Sequence, residues 1–253
     1  AHELETREIL KQYRPDLDVS ISSEVAPEIR EYERFSTTVC NAYVQPLMAS
    51  YLGKIKAGLE GKDIKSPFLL ITSGGGLTTL ETASKFPIRL VESGPAGGAI
   101  LASKVSSQIG SNASLSFDMG GTTAKLCLID SSEPRISRQF EVDRSYRFKK
   151  GSGLPLKIPV IEMLEIGAGG GSIAHVDKMD RIKVGPESAG SSPGPACYDL
   201  GGNQPTVTDA DLLQGKMVIK NFPFFLNTDL GTEAINKIIS ENLGIPDIES
   251  ALG

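Results

Sequence analysis

Histidine and cysteine are scarce in this chain. It has two histidines, His2 and His175, and three cysteines, Cys40, Cys127 and Cys197, with no C-x-x-C pair among them. A structural zinc site lacks its usual ligands, and scattered thiols suit a reducing compartment, with the cytoplasm as the default. Long apolar runs are absent too: no stretch approaches the roughly 18 residues that a membrane span needs, and the amino end, AHELETREIL, is charged and helical rather than signal-like. A surplus of positive charge is also missing. The formal net charge of -5 argues against nucleic acid or an anionic membrane as the main partner, because either requires cationic side chains to displace counterions. No G-x-x-x-x-G-K-[ST] run occurs, which excludes a P-loop. The first residue is not methionine, which predicts a piece of a longer chain or a processed one.

What is present is a foldable α/β pattern. At 253 residues and 40% hydrophobic content the chain can bury one large core or two modest ones. Residues 1–13 read as a helix stopped by Pro15, LDVSISS as a strand, and Val39, Tyr43, Leu47, Tyr51, Ile55 and Leu59 as the stripe of one long helix. Ser36 is the expected cap of that helix, Gly61 its end and Pro46 a kink. From about residue 66, PFLLITS, IRLV and KIPVIEML read as strands, and TTLETASKF and SGPAGGAILASKVSSQI as helices that follow glycine turns. Residues 151–202 hold eleven of the 27 glycines. Within them SIAHVD reads as strand and VGPESAGSSPGPACYDLGG as a long irregular run, before a helix that Thr208 or Asp209 opens; residues 228–253 read as one amphipathic helix.

The most informative stretch is LSFDMGGTTAKLCLID, residues 115–130. Leu115 and Phe117, then Leu126, Leu128 and Ile129, predict two half-buried strands, which leaves Asp118-Met119-Gly120-Gly121-Thr122-Thr123 as the turn between them. A turn needs some glycine. An acid, two glycines and two hydroxyls together suit a backbone that approaches a phosphate while Asp118 holds Mg²⁺ nearby. GAGGGS, residues 167–172, nearly fits G-x-G-x-x-G, but Ser172 takes the last glycine position and strand, not helix, follows, so a dinucleotide fold is rejected. Close approach of a base or ribose stays open. SGPAGG offers helix N–H groups to an anion or, equally, glycines for helix packing. GSSPG matches the G-x-S-x-G elbow, yet Pro193 and Pro195 forbid the helix after Ser192, and only His175 is available as a base. Cys197 lies in the glycine-rich region as a lone thiol, and Glu162 and Glu165 sit three apart in a strand, on opposite faces. Asp118 and Asp209 are the two acids within reach of Mg²⁺; of these, Asp118 is the expected ligand and Asp209 the expected helix cap.

Taken in order and spacing, FDMGGTTAK, EMLEIGAGGGSIAHVD, VGPESAGSSPGPACY and GGNQPTVTDADL resemble the ATP-dependent hydantoinase and 5-oxoprolinase family, in its hydantoinase A-type domain. The upstream SSEVAPEIREYERFSTTVCNAYVQPL resembles that family's connecting region, so residues 1–64 are expected to be connecting region and 65–253 the nucleotide-binding lobe. The resemblance implies the actin-like ATPase fold shared by acetate and sugar kinases and heat-shock chaperones, mainly its second lobe. It implies ATP and Mg²⁺ as cofactors, with Gly120, Gly121, Thr122 and Thr123 on phosphate, Asp118 on the metal, and Gly167, Gly169, Gly170 and Gly171 along the adenosine. The implied reaction is phosphorylation of a cyclic amide, a hydantoin or 5-oxoproline, before ring opening, with a hydantoinase B-type partner and an oligomeric assembly. An acetone- or acetophenone-type carboxylase subunit and a non-catalytic ATP switch are the alternatives. Family members carry a second Asp-x-Gly-Gly-Thr hairpin near the amino end and this chain has none, so it resembles an internal segment, inactive alone. Some relatives read Asp-x-His-Thr where Glu162-Met163-Leu164-Glu165 stands here.

Overall fold

The computed structural model describes residues 2–146, 149 and 151–245. By contact the chain divides into two compact units, residues 1–116 with 127–163, and residues 117–126 with 164–253. Spatial contact is a different criterion from the expected family boundary at residue 64.

In the first unit, α1 (His2–Tyr13) forms as its apolar spacing predicts. LDVSISS does not become a strand: Glu3 accepts hydrogen bonds from the Ser22 hydroxyl and the Ser23 amide, which starts the short α2 (Ser22–Val25) instead. The long helix α3 spans Glu31–Glu60 with Pro46 inside it and Gly61 at its end. Ser36 is not its cap but lies in the second turn, where its hydroxyl donates to the Glu33 and Pro155 carbonyls.

The apolar stripe of α3 is mostly on the outside, with Val39, Tyr43, Leu47 and Tyr51 at 66, 85, 75 and 56% exposure. A strict four-residue repeat advances about 40° per step on a 3.6-residue helix, so the stripe winds off the packed face. That face carries Thr37, Asn41 and Leu52. Asn41 is buried because it is fully engaged: it donates to the Lys85 carbonyl and the Ser20 hydroxyl, and accepts from the Ile88 amide.

Strands Leu69–Ile71 and Leu77–Thr79 pair antiparallel around the glycine turn, and α4 (Leu80–Lys85) follows, capped by the Thr79 hydroxyl. IRLV is a 3₁₀ turn, Pro87–Leu90, rather than a strand, because Pro87 presets a helical φ at its first position. Helix α5 (Ser93–Gln108) begins at Ser93 with Pro95 in its first turn. Its Ala96 and Ala99 pack on Cys127, Ile129 and Ile161; a fully buried isoleucine contributes about 2 kcal/mol there.

Strands Ala113–Met119 and Ala124–Asp130 are neighbours in a sheet, as predicted, although Leu115 and Phe117 are each 59% exposed rather than half-buried. KIPVIEML is not one strand. It splits into Val160–Ile161 and Leu164–Ile166, and the latter pairs antiparallel with the start of the 124–130 strand, Leu164 opposite Leu126 and Ile166 opposite Ala124.

In the second unit, Ser172–Val176 pairs with Ile182–Ser188 through a register shift near Ser172. VGPES is therefore strand, and the irregular run begins only after Ser188. Helix α6 (Val207–Leu213) is opened by Thr206, not by Thr208 or Asp209, because Thr206 and Asp209 form a reciprocal capping box. Helix α7 (Thr228–Ile235), capped by Asn227, runs on through a π turn at Asn236–Ser240 to Leu243; the remainder of the expected tail helix, 246–253, lies outside the described residues.

Candidate functional site

The turn of the hairpin is closed by the Gly120 amide, which donates to the Thr123 carbonyl at 2.9 Å. Asp118, Met119, Gly120, Gly121 and Thr122 are all exposed, and Thr123 is half-buried. Neither glycine has a positive φ. Nothing lies within 4 Å of a Cβ built on Gly121, and the nearest atom to one on Gly120 is the Thr123 oxygen at 3.6 Å. Backbone conformation and packing thus leave glycine unexplained at both positions. The turn keeps a bare, open backbone surface beside an exposed carboxylate and two hydroxyls.

The second glycine segment lies directly against this turn. The Gly170 amide donates to the Gly120 carbonyl at 3.0 Å and the Gly171 amide to the Gly121 carbonyl at 2.7 Å. A Cβ on Gly169 would stand 2.7 Å from the Gly120 oxygen and from the Gly121 carbonyl carbon and oxygen; one on Gly171 would stand 2.8 Å from the Ser188 hydroxyl. Here glycine is required by protein on both sides. The buried Ser172 closes the loop, its hydroxyl accepting from the Gly169 amide and its own amide donating to the Gly169 carbonyl. Gly167 and Gly170 stay half-buried, whereas Gly169 and Gly171 are buried.

The loop is in turn held by α6. Thr208 donates twice to the Gly170 carbonyl, from its amide and from its hydroxyl, each at 2.8 Å. Asp209 is fully buried and accepts from the Thr206 amide and hydroxyl and from the Ala196 and Cys197 amides. All its carboxylate capacity is spent on the fold, so it is a staple and not an open metal ligand. Burial, reinforced by the Asp209 carboxylate, pushes the Cys197 thiol far above the ordinary range, which makes it a poor nucleophile.

Other singled-out residues fall elsewhere. Glu162 lies between two strands rather than in one with Glu165, so the opposite-face argument does not hold; Glu165 pairs with Lys125 at 3.6 Å from the register-opposed strand position. His175 is exposed opposite Lys183. Ser192 is exposed in a turn, with neither a strand leading directly into it nor an α-helix leaving it, so no nucleophile elbow exists. A Cβ built on Gly97 of SGPAGG would stand 3.1 Å from Ile71 Cδ1, the packing use of that glycine. Two features escaped sequence reasoning: the Lys125–Glu165 pair, whose partners are 40 residues apart, and the Thr208–Gly170 contact. The TVTD string signals a helix start but not what that start holds.

The family model described as hydantoinase/oxoprolinase matches residues 34–247. An uncharacterised protein of Methanocaldococcus jannaschii is 41% identical over 257 residues, covering 100% of this chain and 38% of its own length. The caprolactamase subunit alpha of Pseudomonas jessenii is 36% identical over 256 residues, covering 100% of this chain and 36% of its own. The solved ATP-dependent caprolactamase from that organism superposes with a TM-score of 0.66 at 34% identity, and nucleotide-free acetone carboxylase with 0.75 at 26% identity; each covers 99% of this chain and 35% of the other. This chain therefore spans little more than a third of the length of these relatives. The α/β fold is of the actin-like ATPase type that these neighbours share. A matched family model over most of the chain makes this polypeptide a member of the hydantoinase/oxoprolinase family.

Proposed function

We propose that the full-length protein uses ATP to activate a cyclic amide for hydrolysis. The observation that carries this reading is the Gly120–Gly121 turn, which keeps open backbone where neither φ nor packing calls for glycine. Gly120, Gly121, Thr122 and Thr123 bind phosphate through amides and hydroxyls, and the accessible backbone of Gly167 and Gly170 lies along the adenosine; Gly169 and Gly171 serve by letting loop and turn close. Asp118, exposed at the end of its strand, fits Mg²⁺ held mostly by water and substrate phosphates. Among the described residues no three acids, histidines or cysteines cluster, and Mg²⁺ needs only one or two carboxylates. When bound, it neutralises phosphate charge.

In the reaction, the amide oxygen attacks the γ-phosphorus and ADP leaves. Water then adds to the activated carbon, the ring C–N bond breaks as the protonated amine leaves, and a second water hydrolyses the resulting acyl phosphate to carboxylate and inorganic phosphate. The chain's residues contribute positioning and charge neutralisation. The caprolactamase relative, named for a cyclic amide and for a subunit, supports this substrate class and a multi-subunit assembly; a hydantoinase B-type partner in an oligomer is part of the same proposal. A cytoplasmic setting follows the three free cysteines. The division at residue 64 into connecting region and lobe belongs to the same reading. A second reading, an ATP-using carboxylase subunit, is favoured by the TM-score of 0.75 to acetone carboxylase.

Incubating the full-length protein and its partner with ATP and a panel of lactams, hydantoins and 5-oxoproline decides between them. Ring-opened product formed with matching ADP and phosphate supports the proposal. ATP use that requires bicarbonate and a ketone replaces it with the carboxylase reading, and ATP binding without any small-molecule product replaces it with a switch.

A further inference from the structure

Residues on three separate stretches of chain form one hydrogen-bonded relay in the second unit. The Gly120 carbonyl accepts from the Gly170 amide, and the Gly170 carbonyl accepts both Thr208 donors. Thr208 sits in the first turn of α6, whose start is locked by the Thr206–Asp209 capping box. Asp209 extends the lock to the 3₁₀ turn Ala196–Tyr198 through the Ala196 and Cys197 amides. Beside it, the Ala174 amide donates to the Pro205 carbonyl and Ile173 bridges to Thr206, which ties the same turn to the strand leaving the glycine loop.

The open turn has few ties of its own. Its residues 118–122 are exposed, and its own closure is the single Gly120–Thr123 hydrogen bond. A four-residue loop with two glycines samples many backbone states unless neighbours fix it. The neighbours that fix it are Gly170 and Gly171, and Gly170 is oriented by Thr208. A Cβ on Gly170 would come within 2.7 Å of the Thr208 hydroxyl, so the contact is as close as the backbone permits.

We propose that Thr208 is a positioning residue of the nucleotide site: its hydroxyl, through the Gly170 peptide, sets the orientation of the Gly120–Gly121 amides that receive phosphate. This rests on the reading of that turn as a phosphate loop. Thr208 touches no phosphate itself. It is buried, and its hydroxyl donates to the Gly170 oxygen and also interacts with the Tyr198 side chain; valine keeps the shape at this position and withdraws the donor from Gly170.

The test uses the full-length protein with Mg·ATP as the probe, in Thr208→Val and Thr208→Ser. Valine matches the shape of threonine and cannot donate; serine restores the donor. The expected result is ATP affinity weakened about tenfold in Thr208→Val, the equivalent of one lost hydrogen bond, with recovery to within about twofold in Thr208→Ser and similar melting temperatures for both. Affinity unchanged in Thr208→Val, or lost equally in both variants, overturns the proposal while leaving the phosphate-loop reading intact. Absence of ATP binding in the unaltered protein overturns the reading itself. Should Thr208→Val not fold, hydrogen exchange on the unaltered protein decides. Mg·ATP slowing amides at 120–123, 169–171 and 207–209 together supports the relay, and slowing confined to 120–123 overturns it.

Discussion

The Gly171 amide donates to the Gly121 carbonyl across 2.7 Å, which places two glycine-rich turns from segments 50 residues apart backbone against backbone. The pair is asymmetric. One turn is bare towards solvent and the other is bare towards its partner, and the predictions below separate those two uses of glycine.

Gly169→Ala introduces a Cβ 2.7 Å from three backbone atoms of the other turn, and backbone cannot yield as a flexible side chain does. We expect a loss of about 2 kcal/mol, in the range of overpacked cores, read as a lower midpoint in urea or thermal melts. Gly121→Ala meets nothing within 4 Å; its melt should stay within about 0.5 kcal/mol, while calorimetric titration shows ATP affinity falling at least tenfold. The reverse pattern would move the ligand from the open turn to the buried loop.

Asp118→Asn and Asp209→Asn divide along the same line. Asp118 is exposed, so its amide should fold normally and lose Mg-dependent ATP hydrolysis. Asp209 accepts from four donors with both oxygens. Asparagine turns one acceptor into a donor facing other donors, at a cost of about 3 kcal/mol of stability. The expectation that Asp209 is a helix cap underestimates it. A melting curve for Asp209→Asn that overlays the unaltered protein would refute the staple role.

Cys197 should resist alkylation in the native protein. It is fully buried, and its thiol is pushed up by burial and the adjacent Asp209 carboxylate, so the reactive thiolate is not populated at neutral pH. Mass spectrometry after iodoacetamide treatment should find it unmodified until denaturant is added, and Cys197→Ala should keep turnover. Rapid native labelling coupled to loss of activity would contradict this.

Acid should release α1 before the rest of the first unit. Glu3 is held down to about 2 by the Ser22 hydroxyl first and the Ser23 amide second. Its folded value lies below its unfolded one, so its contribution is full above the ordinary carboxylate range near 4.5 and fades as pH falls towards 2. Limited proteolysis between pH 5 and pH 2.5 should show growing cleavage within residues 2–13, and Glu3→Gln should flatten that dependence. Equal acid sensitivity in both proteins would show that other carboxylates govern the helix.

Much of the site was readable from sequence because its signals are local. The hairpin around Asp118–Thr123 follows from two apolar runs and a turn composition that few roles share. Long-range relations were hidden. Thr208 reads as a helix-start residue, and only the fold shows that its hydroxyl reaches Gly170, 38 residues earlier. The α3 stripe misled for a different reason: periodicity reports a helix but not which face is covered, and here the covered face is the one that carries Asn41, bonded on both its amide atoms, rather than the Val39–Tyr51 stripe. IRLV and LDVSISS fell to neighbours, Pro87 in one case and Glu3 in the other.

The tight seat of Gly169 bears on how such sequences are sorted. Because the Gly120 and Gly121 backbones forbid any side chain there, selection for the fold alone retains glycine at that position, whatever molecule the protein turns over. A matching GAGGGS string in a new genome thus reports kinship of architecture. Evidence on chemistry has to come from positions free to vary, such as Gly121 and Asp118, where a retained residue has only the ligand to answer to.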